Sequence, residues 1–145
     1  MSTGIIGQQA QSRLTPGAID FIQQAIEETG GREVFFAGTL NRDGLVEVVR
    51  VCSRGNEVSV PALSAAVKTG EVVIHNHPSG DISPSEADLH LSTLFSHLGN
   101  GVYIVDNAAS RVYAVVEPFL PAEKEKLDPG ALAEALGPGS RLSKA

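Results

Sequence analysis

The order of helical and extended segments along this chain leaves few folds open. Residues 15–31, TPGAIDFIQQAIEETGG, carry Ile19, Ile22 and Ile26 at helical spacing. Thr15 can cap that helix, Pro16 suits its first turn, and Gly30 and Gly31 end it. Residues 33–41 (EVFFAGTLN) and 45–53 (LVEVVRVCS) flank an RDG turn and read as a hairpin. A short helix starts at Pro61 and is stopped by Gly70, and the apolar strand EVVIHNHP follows. Residues 83–98 are expected to be a helix with Ala87, Leu91, Leu94, Phe95 and Leu98 on its inner face. GVYIVDN and RVYAVVE are two more strands, joined by a turn at residues 108–110. Helix, hairpin, helix, strand, helix, strands is the order of an α/β fold, a mixed β-sheet sandwiched by helices.

At 145 residues the chain makes one ordinary domain. Residues 1–14 read as a flexible lead-in, 15–117 as the folded domain, and 118–145 as a linker or tail toward a further domain. That tail mixes Pro, Gly and charge, with one short helix at residues 129–136. The net charge of −6 argues against a broad nucleic-acid footprint, which needs a basic face, so no direct nucleic-acid binding is expected. Cys52 is the single cysteine, which rules out an intramolecular disulfide and fits a reducing compartment. Its apolar surroundings predict a buried structural thiol. No segment has the apolar length of a signal peptide or membrane span, so the expected location is the cytoplasm, with no membrane partner.

With no cysteine cluster, a metal site would have to use histidine and carboxylate, and one stretch concentrates them: HNHPSGDISPSEAD, from His75 to Asp88. Residues two apart on an extended strand project to the same side, so His75 and His77 can reach one point. Pro78 pushes the residue before it toward extended geometry. Ser83, Pro84 and Glu86 fit a capping box that would start the next helix. Ser85 and Asp88 then lie three apart on one face of its first turns. Two imidazoles and one carboxylate form a set typical of catalytic zinc, with a fourth position left for water. Such an ion lowers the pKa of its water toward about 7. A general base is still needed, and Ser85 could donate to a developing oxyanion.

The stretch resembles the JAMM pattern (also called MPN+ or JAB): H-x-H, seven residues, S-x-x-D, without a gap. Its wording, HNHPSGD followed by SPS-x-x-D, is most similar to the bacterial RadC-like branch. The resemblance covers roughly residues 15–116 and implies a JAB/MPN-like fold with cytidine-deaminase-like layering. It implies one Zn2+ per chain held by His75, His77 and Asp88. Glu33, opening EVFFAGTLN, matches the family's catalytic acid/base, and Ser85 the residue that steadies the tetrahedral intermediate. The implied activity is that of a JAMM-type zinc metallopeptidase or isopeptidase. The partner would be a protein substrate, ubiquitin-like in kind. The long insertions with which relatives hold ubiquitin itself have no room here. Domains of this kind also occur fused to DinG-like DNA helicases, which the connector-like tail fits and which would tie the chain to DNA repair.

Two other classes stand beside the hydrolase. One is a non-catalytic zinc-bound recruitment module of a DNA-processing protein; the other, disfavoured by the acidic balance, is a nuclease. Blander roles are expected elsewhere: surface or packing for His90 and His97, turn formation for Asp81, and solvated helix charges for Glu27 and Glu28.

Overall fold

A computed structural model describes residues 7–55 and 60–119 of the chain. Its centre is one six-stranded mixed sheet in the order β1-β6-β5-β4-β2-β3. The strands are β1 (Gln8–Gln9), β2 (Val34–Leu40), β3 (Val46–Arg54), β4 (Val72–Asn76), β5 (Gly101–Val105) and β6 (Arg111–Val116). The helices are α1 (Pro16–Glu28), α2 (Val60–Ala66) and α3 (Glu86–His97). β2 pairs antiparallel with both β3 and β4, while β4 and β5 run parallel and are joined through α3. The parallel pair requires that crossover, because a tight turn can join only antiparallel strands.

β4 and β5 are buried along their whole length, so the sheet needs a cover on each face. Side-chain alternation divides the cover. Val34 and Phe36 of β2 and Val72 and Ile74 of β4 pack with Ile22 and Ile26 of α1. Phe35, Ala37 and Val73 face the other way, onto Leu63 of α2 and onto Leu91 and Phe95 of α3. This is the mixed sheet sandwiched by helices that the segment order predicts. α1 starts as expected, with the Thr15 hydroxyl accepting from Ala18 N at 3.2 Å and Pro16 in the first turn.

The structure corrects three expectations. Residues 7–14 are not a loose lead-in: β1 pairs with β6, and Ala10 and Leu14 are fully buried in the α1-side core. A two-residue edge strand and two isolated apolar residues carry too little periodicity to announce themselves. Residues 1–6 lie outside the described residues, as does the tail beyond Phe119 with its expected helix at 129–136. The inner face of α3 is Asp88, Leu91, Ser92 and Phe95, whereas Ala87, Leu94 and Leu98 are exposed. The helix is rotated so that its first turn presents a carboxylate instead of an alanine. Cys52 is half-buried rather than fully enclosed; burial raises its thiol pKa, against the pull of Arg50.

A carboxylate in the wall of the sheet locks β4 in place. Glu71, just before β4, is buried. It accepts from both terminal nitrogens of Arg50 at 2.7 Å, from Lys68 N at 2.8 Å and from Thr39 Oγ1 at 2.9 Å. Its carbonyl accepts from Gly101 N at 3.1 Å and from Asn100 Nδ2 at 2.9 Å, which ties the start of β4 to the start of β5.

Candidate metal centre

The two histidines stand where β4 leaves the sheet, on the face covered by α2 and α3. His75 is fully buried and stacks on Phe35 with ring centroids 4.7 Å apart and planes 20° apart. His77 lies beyond the strand end, its ring centroid 5.2 Å from that of His75. His77 Nδ1 is 2.8 Å from the carbonyl oxygen of Asp81, which can only accept, so Nδ1 carries a proton. That leaves Nε2 turned inward. Asp81 also accepts from Ser83 N at 3.0 Å, the turn-forming part expected of it.

Asp88 arrives from the other side. The capping box of α3 is Ser85 with Asp88, not Ser83 with Glu86: the Ser85 hydroxyl accepts from Asp88 N at 3.1 Å, and Asp88 Oδ2 accepts from Ser85 N at 2.9 Å. Ser83 N is already engaged by the Asp81 turn, so the helix starts one box later. The shift aims the Asp88 carboxylate at the histidines: Oδ1 is 3.0 Å from His75 Nε2, and Oδ2 is 2.7 Å from His77 Nε2. Glu33, immediately before β2, closes the group with Oε2 3.4 Å from His75 Nδ1. All five residues singled out in the sequence therefore meet at one place.

The electrostatics of the cluster suit a cation. Burial works against a charged His75, yet the Asp88 and Glu33 carboxylates outweigh it and raise its pKa to about 9. His77 is raised too, chiefly by Asp88. Burial favours a neutral Asp88, but the two imidazoles hold its carboxyl well below the usual range. Neither ring nitrogen of buried His75 has a directed hydrogen bond, and His77 sits between two acceptors. A positive charge between the imidazoles and the carboxylates would satisfy all of them; without a metal the raised pKa of His75 puts a proton there, which an ion would displace because a histidine ligand must be neutral. Glu33, His75 and His77 can also bring one ligand atom each within 4.8 Å of one another, so four candidate ligands surround the point.

A model of the RadC-like JAB domain family matches residues 15–106 of the 145. The chain belongs to the RadC-like JAB family. No curated protein matches it. In this JAB domain a cleft of about 410 Å3 opens beside the cluster, lined by Glu33, His77, Ser85 and Asp88 and by apolar Phe35, Leu63 and Leu91. His90 also borders the cleft, although its place on α3 suggested plain surface. His97 is exposed in the last turn of α3. Sequence reasoning missed Phe35, which supports His75, and Asn76, the residue between the histidines. Strand alternation was the available signal for both: Phe35 shares the face of Glu33, and Asn76 takes the face opposite His75 and His77. No helix among the described residues is long and apolar enough to cross a membrane.

Proposed function

We propose that this RadC-like JAB domain is a zinc-dependent hydrolase of a peptide or isopeptide bond, in which His75, His77 and Asp88 hold one Zn2+ and Glu33 moves protons. One observation carries the assignment of ligands. Asp88 spans both inward-facing Nε2 atoms, at 3.0 and 2.7 Å, whereas Glu33 makes its closest approach to His75 Nδ1, at 3.4 Å, and reaches within 4.8 Å of a ligand atom of each histidine. Either carboxylate can share an ion with both imidazoles, and the shorter, two-sided contact of Asp88 supports it as the ligand. Two neutral histidines and one carboxylate with an open fourth position suit catalytic zinc.

When bound, the ion supplies Lewis acidity and lowers the pKa of a water toward about 7. The chain's own residues do the rest. Glu33, partly exposed at the mouth of the cleft, accepts a proton and returns it to the leaving nitrogen. The Ser85 hydroxyl accepts from Asp88 N, which leaves its own proton to donate to an oxyanion in the cleft. Phe35, Leu63 and Leu91 exclude water from one side. A protein substrate, ubiquitin-like in kind, and attachment to a DNA-processing or helicase module belong to the same proposal, carried by the family resemblance.

Metal analysis by native mass spectrometry, combined with a panel of ubiquitin-like fusions and single-stranded DNA, tests the proposal. About one zinc per chain and cleavage of a fusion, lost in Glu33→Gln with zinc retained, is the expected result. No zinc after reconstitution refutes it. Zinc with DNA cleavage instead makes the domain a nuclease. Zinc with no turnover, but equal partner binding by wild type and Glu33→Gln, makes it a recruitment module.

A further inference from the structure

Asn76 points away from the two histidines that flank it, into the α1 side of the sheet, and is fully buried. Its amide makes three directed bonds. Oδ1 accepts from Val34 N at 2.8 Å, and Nδ2 donates to Arg32 O at 3.0 Å and to Asn107 Oδ1 at 2.8 Å. Asn107 in turn donates from Nδ2 to Pro78 O at 3.1 Å. The partners dictate the orientation of the amide, since Val34 N–H needs an acceptor and the Arg32 carbonyl a donor. Aspartate would lack the donor and leucine would lack both.

The placement matters because of what lies between Arg32 and Val34. The ladder between β2 and β4 ends at the pair Phe35 and His75, so the segment carrying Glu33 has no further backbone partner on β4. On the β3 side Glu33 O accepts from Gly55 N at 2.8 Å. On the β4 side the backbone before and after Glu33 is gripped by the Asn76 side chain. The residue that grips it is covalently between His75 and His77. Any shift of the Glu33 backbone relative to the histidines must therefore break a bond to Asn76, and Asn107 ties the same amide to Pro78 at the exit of the histidine segment.

We propose that Asn76 is a positioning residue for Glu33: its buried amide, braced by Asn107, sets the distance between the Glu33 carboxylate and the His75–His77 pair. The inference rests on the hydrolase reading for what Glu33 does, but the contact itself is testable without metal or substrate.

Solution NMR of the metal-free full chain provides the test, with two readouts: amide exchange at Val34, and the proton contact between the Glu33 γ-methylene and the His75 ring. In Asn76→Ala, Val34 exchange is expected to rise at least about tenfold and the Glu33–His75 contact to vanish, while Phe36 and Ile74 exchange at wild-type rates. Asn107→Ala, a change at a half-buried turn residue, is expected to weaken the contact without abolishing it. A Glu33–His75 contact that persists in Asn76→Ala overturns the proposal. So does equal loss of protection at Phe36 and Ile74, which would make Asn76 merely structural. If Asn76→Ala does not fold, an unchanged contact in Asn107→Ala overturns it. Because no metal is present, a failure of these readouts leaves zinc binding and hydrolysis standing, and the converse also holds.

Discussion

Replacing Glu71 with glutamine should cost this domain stability at neutral pH and much less in acid. Glu71 is buried, and four donor contacts converge on its carboxylate, two of them from one guanidinium. The Arg50 hydrogen bonds, only partly opposed by burial, lower its pKa from 4.5 to about 2. At about 1.36 kcal/mol for each tenfold change in proton affinity, that drop corresponds to at most about 3.4 kcal/mol. Arg50 is 43% exposed, so solvent screening brings the expected value nearer 2–3 kcal/mol. The folded-state pKa is the lower one, so the contribution is fully present above the unfolded value near 4.5 and is lost as pH falls toward 2. Urea titrations of wild type and Glu71→Gln at intervals from pH 7 to pH 2.5 read the difference, while the other carboxylates cancel between the two proteins. The gap should narrow by about 2 kcal/mol or more on acidification. A gap that stays constant across that range, or no gap at pH 7, would refute the assignment of Glu71 as the ionised anchor of β4.

Other changes probe the site and the sheet. His77→Ala should remove most zinc affinity, because a two-ligand site lacks the geometry zinc prefers. Far-ultraviolet circular dichroism should show its fold intact, since the core on both faces of the sheet is independent of the ion; an unfolded apo chain would make the metal structural. Glu33→Gln should lower turnover on a cleaved substrate by roughly 10²–10⁴-fold at unchanged zinc content; loss of zinc would make Glu33 a ligand. Ser85→Ala removes the cap of α3 as well as a donor in the cleft, so thermal denaturation should register a loss of about 1 kcal/mol apart from any effect on rate. Gly101→Ala and Gly38→Ala should each destabilise the fold in thermal denaturation. An added Cβ at Gly101 meets the Pro118 nitrogen at 2.9 Å and the Val116 carbonyl oxygen at 3.0 Å, which are backbone, and at Gly38 it meets Cγ1 of Val46 at 2.5 Å, a buried β-branched side chain with little room to yield.

The alternation of segments determined the layer architecture, because each apolar period must be buried against something and a sheet with helices before, between and beside its strands has few ways to do so. The local spacing of His75, His77, Ser85 and Asp88 determined which candidate ligands are on offer, because residues two apart on a strand and three apart on a helix share a face. Competing local signals were harder to resolve. Ser83 with Glu86 and Ser85 with Asp88 both read as capping boxes in one dimension, and the choice fell to the one whose carboxylate meets two imidazoles, one buried and one partly exposed. The rotation of α3 follows from that choice and leaves Leu94 and Leu98 in solvent. The order of residues 7–14 comes from a strand edge more than 100 positions away, which no local pattern encodes. Glu33 and Asn76 are 43 positions apart, and the bonds joining the backbone around one to the side chain of the other exist only because β2 and β4 are neighbours in the sheet. Sequence spacing can specify which groups are on offer, but their separation across the sheet is a property of strand register, which is settled by packing on both faces at once.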